Sequence, residues 1–320
     1  MEINESAPER THRRRPRFRL RILLTLTGLL LAVVFFSQLN PSVVKKLGPA
    51  AEAVYDLFNA PTTEPLSLSG QRVVADVNAL GGGALVSERT AGLFGLLGRK
   101  ELFSINFSSR AGGTNGQFGD RELARLVKSH GDRIWGLYLL DTNVTDLGLR
   151  VLTDLPNVRH ISLEYSDPKT TPTGSPAPTQ FITDAGLVNV GSLTTIQSLH
   201  LRGLPITDAG LEALAGLTAV HVLYLDRTQV RGPGLAHLSS IRQLMDLNLS
   251  GSAVTDQGLS YLSGSKIYQL SLDGVPLSGE SLKALKLMPS LQYLEIRGCG
   301  LSDEAVNDLK TSKPMLQVVR

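Results

Sequence analysis

The side chains best suited to chemistry in this sequence are six histidines and a single cysteine. His160 and His200 each adjoin an aliphatic residue of a short alternating segment. If those segments formed adjacent strands, the two imidazoles would be diagonal neighbours about 7 Å apart and could share a metal ion. The other four, His12, His130, His221 and His237, show no ligand spacing. We therefore favour a plain surface pair and predict no metal site.

Sequence motifs of enzymes do not occur. Metalloprotease, serine hydrolase and dinucleotide-binding patterns are missing, and the glycines at 92, 95 and 98 precede Arg99-Lys100 without the Ser or Thr of a P-loop. The single cysteine, Cys299, excludes an intramolecular disulfide. It occupies a position that Thr or Ser holds in neighbouring segments, which favours burial over nucleophilic use. The sequence predicts a protein that is not an enzyme and that needs no cofactor.

The composition is that of a folded protein without a nucleic-acid-binding surface. Hydrophobic residues make up 42% of the 320 residues and charged residues 19%, which is too apolar for a disordered chain. The net charge is +3, but the first 21 residues hold seven arginines and three glutamates, leaving 25 basic against 26 acidic residues elsewhere. The positive charge is therefore concentrated at the amino terminus, and we expect no nucleic-acid partner.

An apolar run from Ile22 to Phe36 predicts a membrane span. Extended through Leu39 it gives about 27 Å of helix, close to the roughly 30 Å hydrocarbon core of a bilayer. Because the arginines precede the run and only Lys45 and Lys46 follow closely, residues 1–21 are predicted to be a cytoplasmic tail, residues 22–39 a transmembrane signal anchor, and the rest extracytoplasmic. A cleaved signal peptide is the alternative, but no small-x-small cleavage site follows the run.

The next segments are predicted to connect and cap the main domain. Residues 40–69 contain four prolines and are interpreted as a juxtamembrane spacer. Residues 70–110 are interpreted as an amino-terminal cap, with a helix over Gln71 to Leu80 and a turn at the three glycines that follow. The segments Leu102 to Phe107, at the end of the cap, and Asp120 to Leu126, beyond it, have the pattern of a strand and a helix of one more repeat, separated by a glycine-rich insertion.

An internal repeat of about 24 residues organises the remainder of the chain. An alternating aliphatic pair, typical of a short strand with one buried face, recurs at Leu137/Leu139, Ile161/Leu163, Leu199/Leu201, Leu223/Leu225, Leu247/Leu249, Leu270/Leu272 and Leu294/Ile296. Each pair is followed by an apolar stripe at helical spacing, commonly after Thr-Asp-x-Gly-Leu, as at Thr145, Thr183, Thr207 and Thr255. The Thr is predicted to cap each helix and the Asp to favour its positive end.

This pattern resembles the leucine-rich repeat, in the variety found in F-box-type and in membrane-anchored bacterial leucine-rich repeat proteins. The resemblance implies an α/β solenoid with parallel strands on the concave face and helices on the convex face, here preceded by one transmembrane helix. It assigns residues 111–320 to the repeat domain, with a proline-rich insertion at 167–180. Residues 231–234 and 278–281 depart from Thr-Asp-x-Gly, so we expect less regular helices there.

The outward positions of the predicted strands are the candidate binding surface. They combine tyrosines with polar groups, a mixture suited to protein recognition. The candidate partner-binding residues are Tyr138, Ser162, His200, Tyr224, Asn248, Ser271, Tyr293 and Glu295. A neighbouring column of mostly charged residues, in which opposite charges are expected to pair across adjacent strands, contains Glu164, Arg202, Asp226, Ser250, Asp273 and Arg297.

Together these features predict a membrane-anchored protein that binds another protein without catalysis through its concave face. One alternative is a substrate-recruiting adaptor similar to F-box-type proteins, although no F-box-like helical segment precedes the repeats. The other is a glycan-binding or envelope-structural protein, in which exposed tyrosines would stack on sugars.

Overall fold

The computed structural model describes residues 66–91, 99–108, 118–166 and 182–320, and residues 66–320 form one compact unit. The predicted cytoplasmic tail (1–21), signal anchor (22–39), almost all of the spacer (40–69) and the proline-rich insertion (167–180) lie outside the described residues. Within the described ranges, no helix has both the length and the apolar character needed to cross a bilayer.

A single sheet runs through the described part of the chain, with its strands in sequence order. The first pair is antiparallel and every later pair is parallel. The strands are β1 (Gly83–Ala91), β2 (Arg99–Ser108), β3 (Ile134–Leu140), β4 (His160–Glu164), β5 (Ser198–His200), β6 (Val222–Tyr224), β7 (Asp246–Asn248), β8 (Gln269–Ser271), β9 (Tyr293–Glu295) and β10 (Gln317–Val319).

Helical segments alternate with the strands. The α-helices are α1 (Leu68–Ala79), α2 (Asp120–His130), α3 (Asp184–Gly191), α4 (Asp208–Ala213), α5 (Asp256–Ser260), α6 (Gly279–Lys286) and α7 (Asp303–Ser312). Four segments are 3-10 helices: Gly131–Arg133, Gly148–Asp154, Leu214–Gly216 and Pro233–Ser240. The strand-and-helix alternation with a parallel sheet is the predicted solenoid architecture.

The core lies between the sheet and the helices and continues from one repeat to the next. The two aliphatic residues of each strand pair contribute to it, as Leu223 and Leu225 do with exposures of 1% and 0%. The helix stripes contribute the other side, as Leu211 and Leu214 do, both fully buried. No single repeat could bury such a stripe alone, so stability depends on stacking.

The first end of the sheet is covered by a helix and a hairpin. Helix α1 begins at Leu68, slightly earlier than predicted, because the Ser67 hydroxyl caps it by accepting a hydrogen bond from the Gly70 amide at 3.0 Å. The buried Glu101 carboxylate accepts bonds from Ser67 N and Ser67 Oγ, at 3.0 and 2.6 Å, and so ties the helix to β2. Strand β2 then continues into the parallel sheet beside β3.

The helical segments differ from prediction in two places. The Ser278 segment was expected to be irregular, but α6 is a full α-helix whose cap is Ser278 Oγ accepting from Glu280 N at 3.1 Å. That prediction is wrong because serine caps as well as threonine. Conversely, the regular motif at Thr145 is followed by a 3-10 helix, Gly148–Asp154. Side-chain pattern does not separate the two helix types, whose hydrogen bonds differ by one residue. The irregular segment beginning at Arg231 does form a 3-10 helix, as expected.

The Thr-Asp motif links each repeat to the next, beyond the capping role predicted from sequence. In the repeats with a regular motif, the aspartate of one repeat accepts hydrogen bonds from the backbone N–H and the hydroxyl of the threonine in the following repeat. These bonds, 2.6–2.9 Å long, join Asp120 to Thr145, Asp146 to Thr183 and Asp184 to Thr207. We call this set the Asp–Thr ladder. Asp256 makes the same two bonds to Ser278.

The glycine of the motif leaves room for the aspartate side chain of the preceding repeat. A Cβ placed on Gly210 would collide with the Asp184 carboxylate, and Gly186 stands in the same relation to Asp146. In the repeat that has Ser281 at this position, its hydroxyl donates directly to Asp256. At these two glycines the closely approaching group is therefore the aspartate side chain of the preceding repeat.

Candidate concave binding face

The central outward residues of consecutive strands lie in one row across the sheet. Direct register pairs connect Tyr138 to Ser162, Ser162 to His200, His200 to Tyr224, Tyr224 to Asn248, Asn248 to Ser271 and Ser271 to Glu295. Tyr293 lies in the neighbouring row, paired with Gln269 and Gln317. All eight candidate residues therefore share one sheet face. That they contact a partner stays a prediction.

The candidate residues are less exposed than solvated surface side chains. Ser162 and Ser271 are buried, with exposures of 5% and 4%, because longer neighbours cover them. The remaining six are half-buried. Ser271 Oγ donates to the Glu295 carboxylate at 2.9 Å, so this serine organises a neighbour instead of offering a free hydroxyl.

His200 is the most constrained residue of the face. Its ring stacks on Tyr224 with centroids 4.4 Å apart and an interplanar angle of 15°. Its Nδ1 lies 3.2 Å from Glu164 Oε1, and its Nε2 lies 3.1 Å from Ser198 Oγ. The hydrogen bond with His200 is the main reason that the pKa of Glu164 is lowered, against the opposing effect of burial, and Ser162 Oγ adds a bond of 2.8 Å. These contacts hold both rings in one geometry.

Tyr224 also contacts an acidic residue, Asp246. Its hydroxyl donates to Asp246 Oδ2 over a long distance of 3.4 Å, and Asp246 Oδ1 is buried with no hydrogen-bond partner in the described structure. Burial raises the pKa of Asp246, with a smaller contribution from the Glu295 charge. Burial and the nearby Asp246 charge raise the pKa of Tyr224. The site therefore contains a buried carboxylate, that of Asp246, which has only one long hydrogen bond and lies beside the ring of Tyr224.

The charged column beside the row pairs in part as predicted. Arg202 Nε lies 3.1 Å from Asp226 Oδ2, and Arg297 Nη1 lies 2.7 Å from Asp273 Oδ2. Glu164 departs from the prediction because its contact is His200 in the central row, not Arg202. The imidazole of His200 therefore pairs with Glu164, where the guanidinium of Arg202 was expected to do so.

Sequence analysis missed one aromatic residue of this region. Trp135 precedes the outward positions of β3, yet its ring lies 4.3 Å from that of His160, tilted by 39°. Its environment follows from an irregularity in the pairing of β2 with β3, where the register shifts next to Ile134. The ring of Tyr138 folds over Gly136, where any side chain would collide with it. In the sequence, the only signal for this position of the Tyr138 ring is that residue 136 is a glycine.

The groups with catalytic or metal-binding chemistry are accounted for by structure. His160 is half-buried, and burial together with the charges of His200 and Arg159 lowers its pKa. No group of three or more His, Cys, Asp and Glu side chains with metal-binding geometry exists among the described residues. Cys299 is 3% exposed, its thiol donates to the Leu272 carbonyl at 3.0 Å, and burial raises its pKa. Burial of Cys299 is therefore confirmed.

The comparisons with known proteins agree with the repeat architecture. The family model described as "Leucine Rich repeat" matches residues 192–215, 242–263 and 287–309. These three segments support the resemblance to the leucine-rich repeat that the sequence pattern indicates. No curated protein matches it in sequence.

Solved structures with some similarity come from Listeria monocytogenes. One is an internalin C2 (inlC2), at 22% identity and a TM-score of 0.41, over 64% of this chain and 76% of that one. Another is an internalin (inlF), at 19% identity and a TM-score of 0.41, over 62% of this chain and 56% of that one.

Proposed function

We propose that this protein is held in a membrane by residues 22–39 and binds another protein, without catalysis, through the concave face of its repeat domain. The observation that carries the proposal is the row of register-paired residues from Tyr138 to Glu295 on one continuous parallel sheet. A sheet of stacked repeats is a rigid platform, so these side chains are presented in fixed relative positions.

The His200–Tyr224 pair is the proposed anchor of the interface. Aromatic side chains at the centre of an interface commonly dominate binding energy, since they bury a large area at low cost in conformational entropy. Here the stack and the bonds from His200 to Glu164 and Ser198 fix the rings before any partner arrives. Little ordering is then left to oppose association.

The charge of the face favours a basic partner. The three outward rows of β3 to β9 and their carboxyl-end extensions carry five carboxylates, namely Glu164, Asp226, Asp246, Asp273 and Glu295. They carry two arginines, Arg202 and Arg297, so the formal excess is three negative charges with histidine neutral. Opposite charge on the partner would steer association and reduce binding to acidic competitors.

Anchoring and topology are supported by the sequence alone. The arginine tail before residue 22 and the apolar run after it favour a cytoplasmic amino terminus and an extracytoplasmic repeat domain. The test uses a carboxyl-terminal epitope tag and cells in which no outer barrier keeps a protease from the membrane. Protease added outside these intact cells should remove the tag. Extraction of the protein by carbonate, or protection of the tag, would contradict this part of the proposal and leave the binding face untouched.

Site-specific crosslinking tests the binding face. A photo-crosslinking residue at position 248, in the central row, should capture a protein adduct in cells, whereas one at position 261, outside the sheet, should not. The captured protein, once purified, should bind the Tyr224→Ala variant at least about fivefold more weakly, as expected for loss of more than about 1 kcal/mol. Tyr261→Ala is the matched control, because Tyr261 is 41% exposed and lies after α5. Equal affinity of both variants would refute the assignment.

A further inference from the structure

A cavity of about 370 Å³ opens between two consecutive repeats, away from the concave face. It is lined by the end of the 3-10 helix Pro233–Ser240, the turn that follows it and the segment after α5, and none of its lining residues lies in a strand. Its apolar wall consists of Leu238, Ile241, Leu244, Leu262 and Ile267. Each of these is at most 3% exposed, so the wall is formed by side chains of the repeat core.

The cavity exists because one core position holds a serine. In five other repeats the residue that ends the helix stripe donates its N–H to a carbonyl three residues earlier and is aliphatic. These residues are Leu155, Leu193, Leu217, Ile241 and Met288, each at most 6% exposed. Ser265 makes the equivalent bond, to the Leu262 carbonyl at 3.0 Å, and so occupies the equivalent position. The side chain of Ser265 is too short to fill the space between the two repeats.

The same segment is also one residue short. From Ile241 to the next core aliphatic, Leu244, the step is three residues, and the step from Leu217 to Val220 is the same. From Ser265 to Ile267 the step is two. The preceding Gly264 has φ +78, and a Cβ added to it would meet no heavy atom within 4 Å, so the opening is not blocked there. Substitution and shortening together leave the gap.

The rim of the cavity is positively charged. Arg242 and Lys266 are both lining residues and both exposed, and no Asp or Glu lines the cavity. Neither side chain forms an ion pair with any residue that the structure describes. Ser265 also lines the cavity, and its Oγ is buried and has no hydrogen-bond partner among the described residues. An unpaired cationic rim, an apolar wall and an unsatisfied hydroxyl are thus combined in one site.

We propose that this cavity binds a small organic anion with an apolar body, such as an aryl or branched alkyl carboxylate. Its volume lies within the roughly 300–1,000 Å³ typical of small-molecule sites, which combine apolar walls with a few polar groups. The apolar body replaces the missing core side chain against Leu238 and Leu262. The carboxylate lies between Arg242 and Lys266, and the hydroxyl of Ser265 is within the same cavity to donate to it.

The probe for the test is 3-(4-fluorophenyl)propionate, followed by fluorine NMR with the full-length protein in detergent. The wild type should broaden the probe signal, and the uncharged analogue 3-(4-fluorophenyl)propan-1-ol should bind about threefold to fivefold more weakly because it lacks the ionic contact. Replacing both cations, Arg242→Gln with Lys266→Gln, should weaken the carboxylate by a similar factor and leave the alcohol unchanged. A detergent-only sample measures partition of the probes into micelles.

Filling the gap is the decisive variant. Ser265→Leu restores the residue type of the other repeats, so it should raise the thermal unfolding temperature and abolish probe broadening together. Ser265→Ala, which keeps the space, should retain binding. If Ser265→Leu does not fold, Ser265→Val is used, with loss of broadening again expected. Equal broadening by the wild type and the filled variant, or equal affinity for acid and alcohol, would overturn the proposal.

Discussion

Replacing Asp184 by alanine is expected to destabilise the solenoid by about 2–3 kcal/mol. The carboxylate accepts bonds from Thr207 N at 2.9 Å and from Thr207 Oγ1 at 2.6 Å, and both are partly buried. A hydrogen bond to a charged group contributes about 1.5–3 kcal/mol. Two such bonds would contribute more than about 2–3 kcal/mol at full strength. We expect the smaller loss because the site is partly exposed to solvent.

The measurement is thermal unfolding of the full-length protein by far-ultraviolet circular dichroism. For a domain of this size, 1 kcal/mol changes the unfolding temperature by about 2–4 °C, so Asp184→Ala should lower it by about 4–12 °C. The matched control is Asp303→Ala. Asp303 also begins a helix, but among the described residues its carboxylate contacts the exposed Arg320 instead of a threonine or serine of another repeat. Its loss should cost less than about 1 kcal/mol, mainly through the helix dipole.

A double-mutant cycle separates the ladder from capping. Thr207 also caps α4 by accepting from Ala209 N at 3.2 Å, so Thr207→Ala loses two effects at once. If the ladder is real, Asp184→Ala and Thr207→Ala should couple by about 1 kcal/mol or more, and Thr207→Ser should be nearly silent. Strictly additive effects, or equal losses for Asp184→Ala and Asp303→Ala, would refute the reasoning.

Three further predictions concern other residues of the repeats. Gly210→Ala should lower the unfolding temperature, since its Cβ collides with the Asp184 carboxylate, whereas Gly279→Ala should be neutral because a Cβ there meets nothing within 4 Å; the two are compared in the same melt assay. Burial raises the pKa of Cys299, so it should react with iodoacetamide in the unfolded protein only, and labelling of the native protein measured by mass spectrometry would contradict this. Burial acts to raise the pKa of Asp256, but its bonds with Ser278 and Ser281 outweigh burial and lower it. The stability it contributes is therefore present above its unfolded pKa and lost as pH falls through the lower folded pKa. The gap in unfolding temperature between wild type and Asp256→Asn should close below about pH 4, and a gap independent of pH would be the contrary result.

The repeat architecture could be predicted from sequence because stacking makes the same demand in every unit. Leucine pairs such as Leu223/Leu225 mark strands, and since β3 to β10 are all parallel and their pairs lie directly opposite one another, the spacing also gives the register. The row from Tyr138 to Glu295 followed from that spacing alone. Helix caps at Thr183, Thr207 and Thr255 were likewise evident from residue type.

Features that depend on contacts between repeats could not be predicted from pattern. The aspartate of each motif was assigned to its own helix, whereas its main partners are in the following repeat, as Asp146 shows with Thr183. The pairing of Glu164 with His200 depends on side-chain reach, which spacing does not encode. The contact between the tilted rings of Trp135 and His160 lies beside a register shift between β2 and β3. Each required the packed geometry of two neighbouring strands or helices.

The bonds between Asp146 and Thr183 have a practical consequence for the segment that separates them in sequence. They span 37 residues, yet their lengths of 2.8 and 2.6 Å match those between repeats without an insertion. The described residues on both sides of positions 167–181 are thus held by the solenoid itself, and adding residues between two fixed ends of a chain costs little, about 0.6 kcal/mol for each doubling of its length. A fluorescent reporter or affinity tag can therefore be inserted at these positions without changing how the repeats on either side stack.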